Sequence, residues 1–323
     1  MRRPVGLRRA APIGAALAAA LLGACTAAPG AAVDTAAAPA AASVDSARLL
    51  ADLALLADDS LRGRAAGTPG NLAARRWIAA RFDALGLGTV GAGRLQPFSF
   101  TRRDSSRVEA ANVVGVVRGT ERPDRYIVVT AHYDHVGVGR PVDGDSIYNG
   151  ADDNASGTAA LLAIAEDVAR RPGRHSIVFV AFDAEEQGLR GARHFVGDPP
   201  VPKAAILLNV NMDMVSHSAK GELYAAGAAK YPQLRAPLER VAGRAPVRLL
   251  LGHDTPVPSP RDDWTSQSDQ GAFHEAGIPF VYFGVADHPD YHRPSDELRT
   301  ITPGFYVKAV RTVLDAVREL DRM

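Results

Sequence analysis

An α/β fold in three layers (α/β/α), with helices on both faces of a central, mostly parallel mixed sheet, is predicted by three features of the chain. Short apolar runs rich in β-branched residues recur along it, helix-periodic segments lie between them, and 46% of its 323 residues are apolar. That composition is ample for one large buried core. The first elements are two helices, Ser46 to Ala57 with leucines at helical spacing and Asn71 to Leu85, which stops at Gly86. Strand-like runs follow at Ala111 to Val117, Tyr126 to Ala131, Ser176 to Phe182, Ala205 to Val210 and Ile278 to Phe283. Helical segments alternate with them at Ala155 to Ala169, Leu189 to Phe195, Tyr231 to Val241 and Asp269 to Ala276, and a last helix closes the chain from Pro303 to Leu320. Alternation of this kind calls for a sheet covered on both faces, with ligands gathering where strands end.

The formal net charge is +1, so there is no broad basic field for nucleic acid, and none is expected as a partner. Residues 1–25 carry four arginines and then an Ala-rich apolar stretch too short for a convincing permanent span. This segment reads as an export signal. It ends in Leu22-Gly23-Ala24-Cys25, which resembles the lipobox of bacterial lipoproteins, where the cysteine is lipidated and becomes the new N-terminus; the alternative is an ordinary signal peptide cleaved elsewhere. Residues 26–44 are Ala, Pro, Thr and Gly with almost no charge and read as a tether. Residues 45–323 contain no repeat and no second linker, and are expected to form one domain. The expected location is the cell envelope, anchored through Cys25, and the expected state is a monomer. Cys25 is the only cysteine, so the mature domain has neither an internal disulfide nor a thiol ligand or nucleophile.

Five clusters of acidic residues and histidines directly follow apolar runs. The first is Ala131-His132-Tyr133-Asp134-His135. In an extended segment His132 and Asp134 share a face, so the carboxylate could hold the imidazole in place as a metal ligand. The second, Gly150-Ala151-Asp152-Asp153-Asn154, enters a helix; aspartates there are ordinary caps, but two adjacent carboxylates exceed what a cap requires. Third is Asp183-Ala184-Glu185-Glu186, whose like charges at a buried strand end resist ionisation unless a cation lies near. One glutamate on a metal and the other free to take a proton from water is the division this suggests. Asp213, after Asn209 to Met212, and His292, within Asp287 to Asp296, complete the set. Singly each is more often a cap or turn residue. Together they read as a two-metal site whose oxygen and imidazole donors suit two zinc ions, with cobalt or manganese as substitutes.

On the elements AHYDH, GADDNASG, FDAEEQGLRGARHF, NMDM and DYHRPSDEL, the chain from about Leu61 to Glu319 resembles the co-catalytic zinc aminopeptidases typified by secreted bacterial leucine aminopeptidases. The resemblance implies the zinc-peptidase (phosphorylase/hydrolase-like) fold and cleavage at the N-termini of peptides or proteins. It implies that His132 and Asp213 bind one zinc, Glu186 and His292 the other, and that Asp153 bridges them. It further implies a cis peptide at Asp153-Asn154 and, in Asp134, a residue that orients His132. Glu185 would be the general base, taking a proton from the attacking water and later delivering it to the leaving amine.

One departure is Gln270, which stands where many relatives have histidine after Ser268-Asp269; its amide could still donate a hydrogen bond to substrate. Tyr291 is a conceivable carbonyl contact, with packing the more ordinary role. His135, His217, His274 and His288 match no ligand position and are expected at the surface or in local structure. The loops Val138 to Tyr148 and Gly252 to Trp264 are candidate pocket walls. Rival activities are a glutaminyl cyclase of the same fold, disfavoured by the full second ligand set, and a carboxypeptidase or dipeptidase, which usually carries an inserted domain. A non-catalytic surface lipoprotein is the rival of another class, and usually such copies lose a ligand or the base.

Overall fold

The computed structural model describes residues 43–255 and 262–323. The export signal, Cys25 and nearly all of the tether lie outside the described residues. Two helices open the fold, α1 (Ser46–Leu56) and α2 (Pro69–Ala84), with the side chains of Asp45 and Thr68 capping their free amides. The strands β1 (Leu95–Thr101), β2 (Arg107–Val117) and β3 (Arg122–His132) follow, then a small hairpin of β4 (Gly137–Val142) and β5 (Asp145–Tyr148). Asp143 and Gly144 turn that hairpin with positive φ of 52° and 90°, the conformation that favours Asp-Gly between strands. Next come α3 (Gly157–Arg170), β6 (His175–Phe182), α4 (Arg190–Gly197), β7 (Ile206–Met212) and β8 (Glu222–Ala226). The chain ends with α5 (Arg235–Ala242), β9 (Arg248–Leu251), α6 (Gln270–Glu275), β10 (Phe280–Gly284) and α7 (Pro303–Leu320).

Eight strands form one sheet in the order β1-β2-β6-β3-β7-β10-β8-β9. The central four, β6, β3, β7 and β10, run parallel, and antiparallel pairings occur only at β1–β2, β2–β6 and β10–β8. The central strands are buried on both faces. In β3, Ile127, Val129 and Ala131 face the layer built by α1, α2, α3, α5 and α7, while Tyr126 and Val128 face α4 and α6. That two-sided burial explains the continuous apolar runs by which these strands are readable. Because all four point the same way, their last residues meet at one edge of the sheet.

Candidate metal centre

Four of the five predicted donors arrive from that edge. His132 is the last residue of β3, Glu186 lies four residues past the end of β6, Asp213 directly follows β7, and His292 sits on the segment after β10. The fifth, Asp153, belongs to the Ala151–Ser156 turn that leads into α3. This turn contains the cis peptide Asp153-Asn154. Asn154 locks it in place: its amide donates to the carbonyl of Met212 at 2.9 Å and accepts from the Gly157 amide at 2.8 Å. Thr158 at the start of α3 donates to the His132 carbonyl at 2.7 Å.

The two oxygens of Asp153 face two separate groups of donors. Oδ1 lies 3.4 Å from His132 Nε2, which is 3.2 Å from Asp213 Oδ1. Oδ2 lies 3.0 Å from His292 Nε2, which is 3.3 Å from Glu186 Oε2. His132 Nε2, Asp213 Oδ1 and Glu186 Oε1 are buried with no hydrogen-bond partner among the described residues. Buried polar atoms normally have partners, and each one left without costs about 1–3 kcal/mol. Groups of imidazole and carboxylate atoms closing on shared points, unsatisfied by protein, fit a metal such as zinc.

The electrostatics agree with that fit. Burial, then the neighbouring Glu186, push Asp153 upward. Burial also pushes Glu185 well above the usual carboxyl range, against the attraction of His132, and Asp269, Asp213 and Glu186 add to the rise. Burial opposes ionisation of Glu186 too, yet His135 and His292 beside it hold its carboxyl well below the usual range. So many carboxyls in one buried space stay ionised together only beside positive charge, which a dication would supply.

Asp134 positions its neighbours by another route than a carboxylate–imidazole bond. The carbonyl of Asp134 lies 3.1 Å from His132 Nδ1, whereas its nearer carboxylate oxygen is 3.8 Å away. The carboxylate instead accepts from the backbone amides of Glu185 at 3.0 Å and Glu186 at 3.4 Å, fixing the paired glutamates relative to His132. Asp152 turns away from Asp153 and accepts from the Ser216 amide and hydroxyl at 2.7 and 2.8 Å and from Ser156 at 3.2 Å. Its other oxygen meets His288 Nε2 at 3.1 Å, a local structural role for that histidine, whose ring lies tilted against that of His217 with centroids 4.0 Å apart. Asp296, pushed up to about 7 chiefly by burial, accepts the amides of Asp152 and Asp153.

Arg64 has no local motif to announce it. Its side chain is buried and donates to the carbonyls of Tyr133 at 2.9 Å, Asn149 at 2.6 Å, Gly150 at 3.0 Å and Leu56. It thereby clasps the segments carrying His132 and Asp153. Arg64→Met, which keeps bulk but removes every donor, is expected to cost roughly 3–5 kcal/mol. Thermal unfolding should then begin about 10 °C lower, and an unchanged midpoint would refute the clasp.

Three further placements depart from the sequence expectations. Gln270 is buried, with Nε2 donating to the Trp264 carbonyl at 2.6 Å and Oε1 accepting from Asn211 at 2.9 Å; its amide ties the fold together instead of facing substrate. His135 lies at the metal centre and is fully buried, because the chain leaves the strand after His132 and turns back. The stretch Val138 to Tyr148 forms the β4–β5 hairpin, packed so tightly on the turn before α2 that a Cβ on Gly63 would meet Tyr148 O at 2.2 Å. Tyr291 stacks on His292 with ring centroids 4.1 Å apart. Asp269 is buried with both carboxyl oxygens unpartnered among the described residues, and burial raises it to about 7.

The cleft over Asp153, Glu185, Asp213 and His292 is walled by Met214, Trp264, Tyr282 and Tyr291. Beside Glu186 a second hollow of about 660 Å³ is lined by Phe100, Arg102, Arg103, Asp104 and Arg190.

Known proteins resemble this chain in both sequence and fold. Aminopeptidase YwaD of Bacillus subtilis (strain 168) is 30% identical over 224 residues, covering 64% of this chain and 44% of that protein. The chain spans less than half the length of the curated relatives it matches, 35% of a probable zinc metalloprotease of Leptosphaeria maculans and 42% of one of Pyrenophora teres f. teres. Among solved structures, BSAP, a zinc aminopeptidase from Bacillus subtilis, superposes with a TM-score of 0.67 at 21% identity, covering 86% of this chain and 96% of that one. Porphyromonas gingivalis glutaminyl cyclase has the same fold, with a TM-score of 0.71 at 18% identity over 86% of this chain and 99% of that one. Residues 112–317, which hold all five predicted donors and Glu185, match Peptidase family M28, and the chain belongs to that family.

Proposed function

We propose that the chain is an aminopeptidase that cleaves N-terminal peptide bonds with two metal ions, zinc by preference, at the Asp153 centre. The observation that carries this reading is the pair of donor groups sharing one carboxylate, each with buried atoms that no protein group satisfies. Bound metal would polarise the scissile carbonyl and make water more acidic there. His132 and Asp213 would hold one ion, Glu186 and His292 the other, and Asp153 both. Glu185, whose carboxyl burial raises, would accept a proton from the attacking water and pass it to the leaving amine. Asp134 and Arg64 keep these segments in register.

Aminoacyl p-nitroanilides, with N-acetylated counterparts, test the reading directly. Hydrolysis of the free-amine substrates alone, abolished by a chelator and restored by zinc, is the expected result. Substrates with acidic side chains belong in the panel, because the hollow beside Glu186 carries three guanidinium groups and only Asp104 besides that ligand. Cleavage of acetylated substrates, or cyclisation of N-terminal glutamine without hydrolysis, would replace the proposal with a different reaction on the same fold.

A further inference from the structure

His135 lies beside Glu186, Asp153 and His292. Its Nδ1 lies 2.7 Å from Glu186 Oε1 and 3.6 Å from Asp153 Oδ2, and its ring stands edge-on to that of His292 with centroids 5.6 Å apart. The 2.7 Å contact is short, yet Nδ1 and Oε1 are both without a hydrogen-bond partner among the described residues. The N–H and the carboxylate lone pair therefore do not point at one another. Two such atoms this close, buried and misaligned, are placed to meet a third body between them.

We infer that His135 is a fourth protein ligand of the metal held by Asp153, Glu186 and His292, an inference that rests on the metallopeptidase reading of the centre. One ligand atom from each of the four residues lies within 4.8 Å of the others. The separations run from 2.7 to 3.6 Å, at or below the roughly 3.3–3.6 Å edge of a tetrahedron with metal–ligand bonds of about 2.0–2.2 Å. The other position has three protein donors, His132, Asp153 and Asp213. The two positions thus differ in kind: four protein donors close a tetrahedral shell, while three leave it open to substrate and water. The His132–Asp213 position is then the exchangeable one, and a limiting chelator should empty it first.

Proton–cadmium correlation spectroscopy on the protein loaded with cadmium-113 counts imidazoles at each ion through carbon-bound ring protons, which do not exchange with solvent. One cadmium should correlate with one histidine ring and the other with two; His135→Ala should reduce the second to one. Zinc affinity at that position should fall by about 100-fold or more in the variant, since loss of an outer partner alone costs about 10–100-fold. Two bound cadmium ions with one ring each in the unaltered protein would overturn the inference and leave the metallopeptidase reading intact. Failure to bind cadmium or zinc at all would overturn both. The decisive count uses the unaltered chain and does not depend on how the variant folds.

Discussion

Glu185→Gln should retain its bound metal and lose turnover by roughly 10²–10⁴-fold, the usual contribution of a positioned general base. The glutamine keeps the shape of the side chain but cannot take up a proton at neutral pH. Glu185 belongs to neither group of converging ligand atoms, whereas Glu186 contacts both His135 and His292. Adjacent residues of nearly identical chemistry should therefore give opposite results. Glu186→Gln should lower metal content, and Glu185→Gln should leave it unchanged. Metal analysis and kcat on the same preparations decide the matter. A fully active Glu185→Gln protein would remove that residue from the chemistry.

Asp153→Asn should weaken both metal positions at once. Its two oxygens serve different groups, Oδ1 beside His132 and Oδ2 beside His292. A neutral amide offers one oxygen where two anionic ones are needed, and its nitrogen would direct hydrogens at one of the positions. The loss of transition-state charge stabilisation is worth several kcal/mol, so activity should fall about 10³-fold or more. Asp152→Asn provides the contrast. Asp152 serves Ser216, Ser156 and His288, so its loss should lower the thermal midpoint while metal stays bound. If Asp153→Asn kept two equivalents of zinc and normal activity, no shared carboxylate would be needed.

The central sheet was legible because its four parallel strands are buried on both faces and so appear as unbroken apolar runs. The missed strands lie at the margins. β1 alternates between exposed and half-buried residues along its length, β8 and β9 have five and four residues, and the β4–β5 hairpin stands apart from the main sheet. The convergence of the candidate donors was legible for a related reason: parallel strands end at one edge, so polar residues directly after apolar runs come together. His135 was set aside because it matches no ligand position of the resembling family, whereas the fold brings it beside Glu186 and Asp153. Gln270 had the right chemistry to face substrate, but its amide is consumed by Trp264 and Asn211, partners six and fifty-nine residues away in sequence. Arg64 binds carbonyls as far as 86 residues downstream, a relation no local pattern can encode.

The buried guanidinium also bears on what holds the centre together. Its nearest charges include Asp153, Asp296, Asp134 and Glu186, which offset the burial that lowers it to about 10, so it remains cationic at neutral pH. It is a resident positive charge within an acidic neighbourhood, and it is present before any ion arrives. Small zinc domains commonly fold only as they capture metal. Here the backbone around the centre is held by a side chain of the protein itself, a tie between the His132 and Asp153 segments that needs no ion.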